Sequence, residues 1–236
     1  MPQEQRPPEA LTVLAAGDVT VKGRMPWSSN GTFLVSVCFD ADEMDAIYKP
    51  LRGERPLWDF PSGLFRREAA AYRLSDALGW GIVPETVTRL DGPLGEGSLQ
   101  RFVPADFEEH YFTLLEHDEY HDELRRIAVF DLLANNADRK SGHCLLGEDG
   151  RLWAIDHGVC FSDEPKLRTV IWDFAGERID PALLDDVARL AAEPPDLSDL
   201  LEPEECDALV GRAERVVRSG RFPNPGGSRP YPWPLV

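Results

Sequence analysis

Lysine is scarce in this 236-residue chain; only Lys22, Lys49, Lys140 and Lys166 are present. Cysteine is equally thin, with Cys38, Cys144, Cys160 and Cys206 far apart and no C-x-x-C pair. Such spacing excludes a disulfide framework and a zinc ribbon, and predicts reduced thiols in a cytoplasmic protein. No run of 18 apolar residues exists, so no stable membrane insertion is expected. The first residues, MPQEQRPPEA, lack the charged-then-apolar layout of a signal peptide. Positive charge is also in deficit: 42 acids face 25 bases, for a net charge of −17. A chain that acidic is a poor partner for nucleic acid or for anionic lipid, both of which demand a basic surface.

What is present is a core of ordinary size, with 42% hydrophobic residues and no internal repeat. Arginine-rich, lysine-poor, proline-rich usage fits a high-GC genome. Alternation predicts strands over 11–21, 32–38 and 45–49, with the small polar stretch 22–31 as a loop. Residues 50–63 are broken by proline and glycine. LFRREAAAYRLSDAL, 64–78, reads as a helix stopped by Gly79, with Phe65, Ala69 and Tyr72 on one face. Strands are expected at 85–90 and 97–103.

The second half turns helical. A short helix is expected over 106–117 and a long one over 120–135, whose end, IAVFDLLA, is apolar all round and therefore buried. HCLLG and RLWAID flank Glu148-Asp149-Gly150, a hairpin signal. Helices are expected at 181–192 and 202–218. The last residues hold five prolines, predicting an extended tail with Tyr231 and Trp233 packed back on the body.

The segment DLLANNADRKSGHCLLGEDGRLWAIDHGVCF, 131–161, carries the chemistry. A buried helix ends in a loop holding Asp138; a hairpin follows, and its second strand runs into Asp156-His157-Gly158. A hairpin returns its ends to one place, so two acids eighteen positions apart are brought within several ångströms. Phosphoryl transfer uses such a pair: one acid orients the attacking hydroxyl, the other holds a divalent cation against phosphates. Each fragment alone also fits a bland role, Asp138 as a loop cap and Asp-His-Gly as a strand-end turn.

The block NADRKSGHCLL…AIDHG resembles the catalytic and metal-binding loops of phosphatidylinositol 3-/4-kinases, and type II phosphatidylinositol 4-kinases share its wording most. HipA-type toxin kinases share the wider architecture. WSSNGTFLV (27–35) is similar to the loop that covers ATP phosphates in the type II enzymes, AIYKP (46–50) to their phosphate-gripping lysine strand, REAAAYRLSDALGWGIVPET (67–86) to their glutamate helix, and GSLQRFV (97–103) to their hinge strand. The chain also resembles a small actinobacterial group labelled phosphatidylinositol-kinase-like. The resemblance implies an α+β, two-lobed, protein-kinase-like fold with a mainly β N-lobe carrying one helix and a mainly α C-lobe. The implied layout is a flexible tail over 1–10, an N-lobe over 11–104, a C-lobe over 105–220 and a proline-rich tail over 221–236.

Residue by residue, the resemblance implies that Ser28, Ser29, Asn30 and Gly31 cover the phosphates and that Lys49, held by Glu68, neutralises them. Gln100, Arg101, Phe102 and Val103 offer backbone groups to adenine. Asp138 serves the acceptor hydroxyl, Arg139 or Lys140 steadies the transferring phosphate, and Asp156 binds Mg²⁺ or Mn²⁺. The family's metal-binding asparagine falls at His143, whose imidazole suits Mn²⁺ better than Mg²⁺. The segment 166–179 lies where an acceptor would bind, with Lys166 and Arg168 as its cations. The implied activity is transfer of the γ-phosphate of ATP to a hydroxyl on a protein or a small molecule. His143 keeps a nucleotide-binding pseudokinase open, and an AMP-transferase on the same scaffold stands as a further alternative.

Overall fold

Alternating apolar residues build the first half into a sheet, as the computed structural model of the chain shows; it describes residues 10–26, 30–226 and 229–235. The chain divides into two compact units. One takes the described residues up to Ala69 with Pro84–Phe102; the other takes Ala70–Val83 with the described residues from Val103 onward.

The first unit is an antiparallel sheet in the order β1-β2-β3-β5-β4, from Asp18–Arg24 (β1), Phe33–Phe39 (β2), Asp42–Pro50 (β3), Thr86–Gly92 (β4) and Gly95–Arg101 (β5). Helix α1, Ala10–Ala16, lies on one face, where its Val13 and Leu14 pack with Val35, Val37, Ala46, Tyr48 and Leu99. The strand expected over 11–21 is thus corrected: its first half is helix. ALTVLAA is rich in strong helix formers, and Gly17 lets the helix end flush against the sheet, since a Cβ there would meet Val13 O and Val37 Cγ1 at 2.7 Å. Register places Phe33 opposite Tyr48 and Val35 opposite Ala46 on the α1 face. Side chains alternate along a strand, so Lys49, next to Tyr48, leaves by the other face.

Helix α2, Leu64–Ala77, begins in the first unit and ends in the second. The second unit adds a small sheet in the order β6-β7-β8, from Ala105–Asp106, Cys144–Gly147 and Leu152–Ala154. Helix α3 is one turn, Tyr111–Leu114, shorter than expected, because the His110–Thr113 capping box closes it at its start. Helix α4, His121–Ala134, buries Leu124, Ile127, Phe130 and Leu133 completely. Helices α5, Pro181–Ala192, and α6, Pro203–Ser219, each start with proline in the first turn, where its missing N–H costs nothing. Asp180 caps the amide of Ala182 at 2.7 Å, and Gly220, at φ 60°, ends α6 in the left-handed conformation that glycine favours.

The C-terminal tail departs from expectation. Trp233 is 88% exposed and Tyr231 is 48% exposed. The tail is held by its backbone instead: Pro230 O accepts from Thr169 N and Trp172 Nε1, both at 3.1 Å, and Leu235 O accepts from Ser141 N at 2.8 Å. Proline leaves a chain rich in acceptors and poor in donors, which suits it to docking through carbonyls.

Candidate active site

In the first unit, β3 and α2 bring Lys49 and Glu68 together. Lys49 Nζ lies 2.5 Å from Glu68 Oε1, and the Glu68 side chain is 3% exposed. A carboxylate this buried is retained ionised only beside a cation. Between β1 and β2, Gly31 N donates to Gly53 O at 2.8 Å, and Asn30 Oδ1 accepts from Arg55 N at 3.2 Å. Of the expected phosphate-covering residues, Ser28 and Ser29 lie outside the described residues.

At the hinge, Gln100 is buried and its side-chain amide donates to Thr86 Oγ1 at 2.9 Å. Arg101 N and Phe102 N donate to Glu85 O and Asp45 O, so these two amides are engaged within the first unit. Val103 N–H, on a residue 6% exposed, has no hydrogen-bond partner among the described residues.

In the second unit, the loop after α4 is built around a buried ion pair. Arg139 is fully buried, and its fork grips Asp131 of α4 through Nε and Nη2, each at 2.9 Å. Arg139 Nη1 donates to the carbonyls of Ile155 (2.9 Å) and His143 (3.1 Å). The expectation that Arg139 steadies a transferring phosphate is corrected: all of its directional capacity is spent inside the protein. Arg139 Nη2 also meets His157 Nε2 at 2.8 Å. Guanidinium only donates, so this ring nitrogen must accept, which fixes the tautomer of a histidine that sits edge-on to Phe130.

Asn135 and Asn136 complete the loop. Asn135, at φ 50°, caps α4 and ties Ser162 O, Glu164 O and Lys166 N. Asn136 Nδ2 donates to Asp131 at 3.0 Å while its Oδ1 accepts from Asp138 N at 2.9 Å. Arg212 of α6 reaches in to Leu133 O at 2.7 Å and Ser162 O at 3.0 Å; burial holds its pKa down to about 10. None of Asp131, Asn135, Asn136 or Arg212 was singled out from sequence. The one available signal was an acid set inside IAVFDLLA, where only a buried cation could keep it.

This frame presents Asp138, whose Oδ2 lies 3.2 Å from Lys140 Nζ. Burial pushes the Asp138 carboxyl above the ordinary aspartate range; Lys140 opposes the rise, and the nearby Asp156 charge adds to it. Lys140 therefore serves Asp138 directly. Asp156 follows β8 at φ 60°, a backbone conformation uncommon for a residue with a side chain and typical of functional turns. Its side chain is 48% exposed, and Oδ2 lies 3.3 Å from His143 Nε2. His143 Nδ1 accepts from Lys140 N at 3.4 Å, so Nε2 carries the proton and donates to Asp156. In this arrangement the imidazole orients the Asp156 carboxylate. Lys166 Nζ, expected to meet an acceptor, lies 3.5 Å from Glu164.

Among the described residues, no group of three or more His, Cys, Asp and Glu side chains forms a metal cage. The two acids present fit a hard cation whose remaining ligands are phosphate and water oxygens, which is how Mg²⁺ is usually held.

The fold recurs among solved structures, two of the following three being described as kinases. The chain superposes on hydra Fam20 solved with sugar (TM-score 0.56, 15% identity, covering 89% of this chain and 87% of that one). It superposes on the Golgi casein kinase with Mn/ADP bound (TM-score 0.53, 14% identity, 92% and 79%), and on the Helicobacter pylori proinflammatory kinase CtkA (TM-score 0.51, 13% identity, 88% and 94%). The fold is therefore α+β and kinase-like. Residues 83–191 match the family described as phosphatidylinositol 3- and 4-kinase. Protein Rv2133c of Mycobacterium tuberculosis is 42% identical over 94% of each chain. Phosphatidylinositol 4-kinase gamma 3 of Arabidopsis thaliana is 35% identical over 32% of this chain and 14% of its own length. The chain belongs to the phosphatidylinositol 3-/4-kinase-like family, as a small member of it.

Proposed function

We propose that the protein is an ATP-dependent phosphotransferase that moves the γ-phosphate to a hydroxyl on a protein or a small molecule. The observation that carries this reading is the pair Asp138 and Asp156, held by a buried Arg139–Asp131 frame that has no reason to be so rigid for a solvated turn. Phosphoryl transfer is catalysed by positioning and charge neutralisation, so rigid acids are what it needs. Asp138 accepts or orients the proton of the attacking hydroxyl, and its raised pKa makes it a better base than a solvated aspartate. Lys140 keeps it ionised. Lys49, fixed by Glu68, takes phosphate charge. Val103 N–H is the donor available to an adenine ring.

A divalent cation, Mg²⁺ or Mn²⁺, would be held by Asp156, oriented by His143, and would supply neutralisation of phosphate charge. Asparagine, the residue that resembling kinases carry at the His143 position, offers a carbonyl oxygen that histidine does not. That observation favours one second reading, a nucleotide-binding pseudokinase with little transfer.

The test is the thermal unfolding midpoint with ATP and Mg²⁺ or Mn²⁺, on wild type, Lys49→Ala and Asp156→Ala, followed by transfer of labelled γ-phosphate. A ligand at a hundredfold excess over its dissociation constant stabilises by about 2.7 kcal/mol. A shift in wild type that both variants lose, with label transferred, supports the kinase. The same shift without label or phosphate release selects the pseudokinase. No shift with any nucleotide and metal overturns both.

A further inference from the structure

Some arginines of this acidic chain, of net charge −17, are paired: Arg73 with Asp199, Arg89 with Asp91 and Arg101 with Glu85. Arg24, Arg52 and Arg55 of the first unit are not. All are exposed, and none has a carboxylate at ion-pair distance among the described residues. They line one cavity of about 340 Å³. Glu54, between two of them in sequence, is committed elsewhere, since its carboxylate accepts the amides of Gly63 and Phe65 at 2.9 Å each. Three like charges around one hollow repel each other, and no carboxylate among the described residues pairs with them there.

The cavity is not the Lys49 site. Arg24 stands opposite Phe33 in register, and Phe33 stands opposite Tyr48. These residues and Pro50, which also lines the cavity, belong to the α1 face of the sheet; Lys49 lies between Tyr48 and Pro50 and leaves by the other face. The cavity floor is the contact of Gly31 with Gly53, so close that a Cβ on Gly53 would meet Gly31 O at 2.5 Å. Two glycines let backbone approach backbone here, and a ligand could approach both.

Guanidinium forks match phosphate oxygens in pairs. We propose that this cavity is a second anion site, specific for a pyrophosphate-sized phosphoanhydride, on the sheet face opposite Lys49. An anion bridging Arg24 at the end of β1 to Arg52 and Arg55 after β3 braces the contact of Gly31 with Gly53. The regulatory consequence, tighter nucleotide binding, rests on the phosphotransferase reading; the binding itself does not.

The experiment is calorimetric titration of sodium pyrophosphate in metal-free buffer, with inorganic phosphate and ADP as separate arms. The proteins are wild type, Lys49→Ala and the triple variant Arg24→Ala, Arg52→Ala, Arg55→Ala. These arginines are exposed, so the triple variant is expected to keep the wild-type melting midpoint. Pyrophosphate binding in wild type and Lys49→Ala, at least tenfold weaker in the triple variant, is the expected result. Stronger binding of ADP than of pyrophosphate at this site identifies a nucleotide as the source of the anhydride; the reverse identifies free pyrophosphate. No binding in wild type, binding preserved in the triple variant, or loss in Lys49→Ala each overturns the proposal. Because no metal or turnover is involved, this result is independent of whether ATP is a phosphate donor.

Discussion

A buried arginine and a half-buried aspartate, neighbours in sequence, answer different questions at the residue scale. Arg139 has no surface and no spare donor direction, so its loss is a loss of folding free energy. Arg139→Met leaves Asp131 as an uncompensated buried charge, and such a break costs about 3–5 kcal/mol. Denaturant unfolding is the measurement, and the double variant Asp131→Leu with Arg139→Met should recover much of the loss, because it removes the orphaned charge. If Arg139→Met left stability unchanged, the frame described for this loop would be wrong. Asp138→Asn should do the reverse. It keeps the shape and the Asn136 contact to the backbone, but removes the base, so transfer should fall by about 10²–10⁴-fold while the ATP-dependent rise in melting midpoint persists.

Elements set how much of this could be read from sequence. Strands β2, β3 and β5 and helices α2, α4, α5 and α6 follow from periodicity, since each has a clear apolar face. Helix α1 did not, because seven residues of Ala, Leu, Val and Thr fit either period, and only contact with the sheet decides between them. The two catalytic candidates were legible from a hairpin between two acids. The frame was not: a buried pair such as Asp131 and Arg139 has no spacing rule, and Arg212 acts from a helix 79 residues away from Leu133. The glycine pair 31 and 53 belongs at this scale too. Gly53→Ala should force Gly31 away from the end of β3, at a cost of about 1–3 kcal/mol, as for other overpacked sites. Nucleotide affinity, read as the ATP-dependent melting shift, should fall further than stability alone explains, whereas Gly142→Ala, with open space around its Cβ, should change neither.

For the molecule as a whole, the tail is the part whose sequence misleads most. Its aromatic residues invite a reading as apolar anchors, yet Trp233 is 88% exposed and the holding is done by two carbonyls. Those carbonyls reach segments that the loop itself pairs with: Arg139 N donates to Arg168 O, Val170 N donates to Arg139 O, and Pro230 and Leu235 accept from Thr169 and Ser141 on either side. Residues at the far end of the chain thus complete the hydrogen bonding of the loop that carries Asp138. Truncation after Gly226 leaves three donors without those acceptors and removes the buried Pro232 with the partly covered Tyr231 and Leu235, while Trp233 is already in solvent. Global stability should therefore fall modestly, and the local effect should exceed it. Amide exchange should quicken at Ser141 and Thr169, and with them the loop should lose order, since local opening follows the local hydrogen bonds. Transfer should drop while the ATP-dependent melting shift is kept. If Ser141 exchanged at the same rate in both proteins, the tail would be an ornament on the fold; faster exchange confined to these two amides and their loop neighbours would make it a part of the catalytic loop supplied from the opposite end of the sequence.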